Sequence, residues 1–138
     1  MRDIKFRGRR YDNDNWVIGD LVHDNIGYAY VFPIEAENLN TKYGVGITTV
    51  GQYTGYTDKN GSEIYEGDIV VDENRQTAYV AWLPQECGFV LVYEKYDSRL
   101  GHRYRGSGYS FDENLEIIGN IHDNPDLVPW WNKQKENK

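Results

Sequence analysis

QYTGYTDKNGSEIYEGDIVV, residues 52–71, holds two tight turns and the start of a strand, and it sets the reading of the whole chain. Asp58-Lys59-Asn60-Gly61 is a turn with glycine where a positive φ is expected. Glu66-Gly67-Asp68 is a second turn, feeding Ile69-Val70-Val71. Glycine supplies the bend, and the aspartate carboxylate accepts nearby backbone N–H groups. The pattern is that of a small barrel whose strands follow sharp bends, with Tyr53, Ile64 and Tyr65 covering one end.

Short strand signals continue on both sides. Residues 15–22 alternate, Trp16 and Ile18 against Val17 and Leu21. Residues 26–32 put Tyr28, Tyr30 and Phe32 on one face, and Pro33 discourages a central strand beyond them. Residues 45–50 are rich in β-branched side chains and flanked by Gly44 and Gly51. Residues 77–83 alternate Ala78, Val80 and Trp82 against Tyr79, Ala81 and Leu83. Residues 89–93 are apolar on both faces, and residues 115–121 close the series. Asp12-Asn13-Asp14-Asn15 reads as a hairpin tip, residues 35–44 as a loop or short helical turn, and residues 97–110 as a long, mobile loop. Glycine or proline interrupts nearly every window, so no long amphipathic helix is expected. The predicted fold is mainly β: a small SH3-like or partly open β-barrel over residues 51–122, an additional N-terminal β-hairpin region over residues 1–50, and few short helices. Residues 1–128 form one domain on this reading, and 129–138 a charged tail. Trp130 and Trp131 within that tail either fold back or meet a partner.

The chain of 138 residues is the size of one ordinary domain and buries a core without staples. Twelve tyrosines supply much of the 14% aromatic content. Cys87 is the single cysteine, which excludes an internal disulfide and a four-thiolate metal site and suits a reducing compartment; a buried, structural thiol is expected. The opening residues lack the apolar run of a signal peptide, and no stretch is apolar for the ~18 residues a membrane span needs. The expected location is the bacterial cytoplasm, with no membrane partner.

Three blocks carry a family resemblance. They are the central residues 52–71, the opening MRDIKFR at 1–7, and the closing IIGNIHDNPDL at 117–127. Together they resemble the YopX family, small proteins encoded by phages and prophages. The resemblance implies a β-rich fold and a phage context. It implies no activity, so no catalytic or binding residue is carried over.

The residues themselves supply little chemistry. Asp58-x-Asn60-Gly61 misses the calcium-loop template, whose glycine falls at the sixth position. Gly44-Val45-Gly46 lacks the third glycine of a dinucleotide fingerprint. His23, His102 and His122 have no ligand-type spacing. Glu63, Glu66 and Asp68 are clustered acids that turn and strand-end roles account for. No catalytic, cofactor or metal residue is assigned, and the balance is against an enzyme.

Net charge is −7, unevenly spread: the first ten residues carry +4, leaving −11 for the rest. Bulk acidity argues against a nucleic-acid coat. Arg7, Arg9 and Arg10, with Arg103 and Arg105 in the long loop, remain the candidate binding residues. The leading expectation is a non-enzymatic phage accessory protein that binds another protein or assembles with itself as a homo-oligomer, displaying Tyr28, Tyr30, Trp130 and Trp131. The alternative is a nucleic-acid-binding module built on the five arginines.

Overall fold

The structure is a computed structural model that describes residues 2–35, 40–94 and 111–131. It divides into two compact units, Met1–Gly55 and Tyr56–Lys138.

The first unit is an antiparallel sheet of β1 (Phe6–Arg9), β2 (Trp16–His23), β3 (Ala29–Pro33), β4 (Tyr43–Val45) and the start of β5 (Gly51–Thr57). Its order is β4-β3-β2-β1-β5. The β1–β2 tip is the expected polar turn: Asp14 takes φ 60°, and the Asn15 N–H donates to Asn13 Oδ1. The β2–β3 turn is closed by Asp24, whose Oδ1 accepts from Ile26 N and Tyr28 N. Alternation then sends Val17, Ala29, Val31 and Val45 into one core, with Leu21, Tyr43 and Val50 against it. Two glycines make this packing possible. A Cβ at Gly8 would lie 2.8 Å from the Val45 Cβ, and one at Gly19 would fall on the Phe32 carbonyl. Beyond β1 the chain bonds back to β4, Tyr11 N to Gly44 O at 3.1 Å and Gly46 N to Arg9 O at 3.0 Å, which curls the sheet.

The β-branched run at residues 45–50 is not one strand. Val45 ends β4, and Ile47–Thr49 form a 3-10 turn. Thr49 Oγ1 accepts the Arg9 N–H at 2.9 Å and donates to the Gly46 carbonyl, so local side-chain bonding overrides strand propensity there.

The second unit takes up the end of β5 and adds β6 (Glu63–Tyr65), β7 (Asp68–Val71), β8 (Thr77–Leu83), β9 (Gly88–Tyr93) and β10 (Glu116–Asn120). Its four-stranded sheet runs β10-β7-β8-β9. Both predicted turns form: Gly61 and Gly67 have φ 84° and 94°, and Asp68 Oδ2 accepts the Tyr65 N–H at 2.7 Å. The sheet is covered on both faces. Ile64, Val70, Ala78, Val80, Leu91, Tyr93 and Leu115 pack on one side. Ile69, Tyr79, Val90, Val92 and Val128 pack on the other. The alternation predicted for β8 sorts its residues between these two cores. Trp130 and Trp131 fold back on the second core, with Trp130 Nε1 donating to the Val92 carbonyl at 3.1 Å. Cys87 departs from expectation. It is exposed, and it ends the 3-10 turn Pro84–Glu86 in a left-handed conformation at φ 50°.

The fold is mainly β, in two antiparallel sheets with short 3-10 turns, and neither sheet closes into a complete barrel among the described residues.

Candidate binding surface

β1 sets the first unit's outer face. Gly8 points at Val45, so Lys5, Arg7 and Arg9, at alternate positions, lie opposite the core. The β1–β2 register pairs Arg9 with Trp16 and Arg7 with Ile18. The two guanidinium carbons stand 4.8 Å (Arg9) and 4.7 Å (Arg7) from the Trp16 ring centroid, so both cations lie against the same indole. Lys5 Nζ lies 4.9 Å from the Tyr53 ring and 3.4 Å from Asp3 Oδ2.

Arg10 belongs elsewhere. Its guanidinium stacks 3.8 Å from the Tyr43 ring, which packs on the core side. It also grips Asp12 through two hydrogen bonds, Nε to Oδ1 at 2.9 Å and Nη2 to Oδ2 at 2.6 Å. The hydrogen bond from Arg10 holds the Asp12 carboxyl below the ordinary carboxylate range. Thus Arg7 and Arg9 come together on Trp16, and Arg10 is neutralised apart from them. Arg103, Arg105 and the long loop at 97–110 lie outside the described residues.

The aromatic side chains proposed for display separate in the same way. Tyr28 is exposed. Tyr30 is half-buried beneath Lys42, whose Nζ is 4.7 Å from its ring, and its hydroxyl donates to Asp24 Oδ2 at 3.3 Å. Trp130 and Trp131 are engaged with the second core rather than displayed.

A surface that sequence reasoning passed over lies on the β2–β3 hairpin. Ile18 and Val22 point outward from β2, and Ile26, Tyr28 and Ile34 continue the patch; all five are between 37 and 73% exposed. Ile34 stands directly across from Ile18, its N–H donating to the Ile18 carbonyl at 3.1 Å. Isolated exposed apolar residues are ordinary, whereas large exposed apolar patches are a general feature of interaction surfaces. The signal was visible in β2, where both alternating sets are apolar although a two-sided burial needs a second layer.

One buried carboxylate, Asp58, is structural. Burial alone would raise it, but N–H bonds from Ile117, Ser62 and Asn60 outweigh that and hold it below the ordinary range. Among the described residues no group of three or more histidine, cysteine or acidic side chains is placed to hold a metal ion, and no helix is long and apolar enough to cross a membrane.

The family model described as YopX protein matches residues 5–129. This chain belongs to the YopX family. The YopX match takes in β1 with Arg7, Arg9 and Arg10, the whole β2–β3 hairpin, and all of the second sheet; Trp130 and Trp131 lie just past it. No curated protein matches the chain. Three chains of solved structure do. One is the crystal structure of protein EF1440 from Enterococcus faecalis, at 20% identity, covering 93% of this chain and 99% of that one with a TM-score of 0.55. At that identity the likeness is one of fold.

Proposed function

We propose that this YopX-family protein is a non-enzymatic accessory protein of phage or prophage origin. It acts in the bacterial cytoplasm by binding a protein, another kind or a second copy of itself, through the outer face of β2–β3. The observation that carries this reading is the exposed patch of Ile18, Val22, Ile26, Tyr28 and Ile34. Burying such a patch against a partner is favourable at about 25 cal/mol per Å² of apolar surface. The nucleic-acid alternative draws less support: Arg10 is held by Asp12, and Arg7 and Arg9 are half-buried against Trp16.

The test is an affinity pull-down of tagged protein from infected host lysate, with and without nuclease, beside the variant Ile18→Ser/Val22→Ser. A stoichiometric protein, or the untagged chain itself, that survives nuclease and is lost with the double variant supports the reading. Recovery that vanishes with nuclease sinks it in favour of nucleic acid, and recovery indifferent to the double variant removes this face.

A further inference from the structure

Asp20 sits between Ile18 and Val22 on the outward face of β2. Same-face residues two apart are separated by about 7 Å, so the carboxylate stands midway along an apolar stripe roughly 14 Å long. It is exposed and has no hydrogen-bond or ion-pair partner among the described residues. On the β3 side it faces Phe32, an apolar ring, and on the β1 side the register that pairs Phe6 with Gly19 sets Lys5 opposite it. The cations of this face are engaged with other side chains: Lys5 with Asp3 and the Tyr53 ring, Arg7 and Arg9 with Trp16, and Lys42 over Tyr30. Residues 11–41, which include the hairpin, contain no lysine or arginine at all.

We infer that the occupant of the β2–β3 face is a different protein, one presenting a lysine or arginine between two apolar side chains, and not a second copy of this chain. The inference rests on the reading of that face as a protein-binding surface and adds the partner's chemistry. A two-fold dimer is isologous, so a dyad through the centre of the stripe would set Asp20 against Asp20. Like charges brought together as water is excluded oppose association, and a carboxylate left unpaired in the interface loses its hydration without return. A cation seated between the partner's apolar contacts removes both costs. It also makes association dependent on ionic strength.

The probes are two synthetic ten-residue peptides, alternating Leu-Lys and alternating Leu-Glu. They are titrated into the full chain by heteronuclear NMR, with sedimentation equilibrium of the protein alone. The expected result is binding of the Leu-Lys peptide only, with amide shifts centred on Ile18, Asp20 and Val22. Asp20→Asn weakens it about tenfold and Val22→Ser more, while the protein alone stays monomeric. Asp20 is exposed, so its replacement leaves folding intact and its effect reads the interface. Equal binding of both peptides, no binding of either, shifts elsewhere, or indifference to Asp20→Asn overturns the inference. So does wild-type dimerisation that Val22→Ser abolishes. If the lysate pull-down still depends on Ile18 and Val22 while Asp20→Asn is silent, the face stands and its proposed partner chemistry falls.

Discussion

The Asp58 carboxylate accepts the backbone N–H of Ile117, 59 residues along the chain, at 3.1 Å. Its other oxygen accepts from Asn60 N and Ser62 N, both at 2.9 Å. One side chain thus closes the turn before β6 and fastens the start of β10.

Asp58→Asn keeps the shape but removes the charge from this acceptor. It is expected to destabilise by about 1–3 kcal/mol, read by urea unfolding at neutral pH. The folded carboxyl titrates below its ordinary range, so its contribution is whole above the unfolded value near ~4 and fades as pH falls through the folded value. The variant therefore loses less stability than wild type between neutral and acid pH. Parallel acid profiles would disprove the role.

Tyr93 behaves oppositely. Burial raises its hydroxyl well above the ordinary tyrosine range, helped by Asp72, whose Oδ2 accepts the hydroxyl proton at 3.0 Å. Because the folded value lies above the unfolded one, the stabilisation is present below about pH 10 and lost as pH rises from there toward the folded value. Tyr93→Phe should cost about 1 kcal/mol at neutral pH and flatten the alkaline decline. Ultraviolet difference spectra should show one tyrosine ionising only with unfolding.

Gly19 and Gly46 separate crowding from loop tolerance. A methyl at Gly19 meets the Phe32 carbonyl, whereas one at Gly46 finds Thr49 at ordinary contact distance. Gly19→Ala is expected to cost about 3 kcal/mol or more, and Gly46→Ala to stay within about 0.5 kcal/mol. Thermal melts of the two variants decide it, and equal shifts would be the contrary result.

The stack on Trp16 is open to a double-mutant cycle. Arg9→Ala, Trp16→Leu and the double variant should reveal a coupling of about 0.5–2 kcal/mol. A coupling near zero would mean that the 4.8 Å approach contributes nothing.

The sequence made β7, β8, β9 and β10 legible because their residues alternate or run apolar as a strand between layers must. β1 and β5 were not assigned. Phe6-Arg-Gly-Arg and Gly51-Gln-Tyr-Thr carry no apolar period, and they are strands because β1 finds β2 on one side and β5 on the other. The run ending at Val50 misled for the converse reason, since a threonine hydroxyl claimed the backbone. Arg7 and Arg9 were visible as basic residues, yet the Trp16 ring they share follows from a register that only the Asp12–Asn15 turn fixes. Cys87 was placed inside by residue type, which does not see a left-handed turn.

The burial of β9 on both faces bears on how this chain can change over time. Along β2, outward and inward positions alternate, so a saturation scan should show substitutions accepted and refused in turn. From Val90 to Tyr93 every side chain is enclosed, two in each core. There the scan should show four consecutive refusals, and drift will be confined to apolar exchanges of similar volume. The outward positions of the β2–β3 hairpin are left free to vary, while the second unit's β10-β7-β8-β9 sheet holds its sequence nearly still.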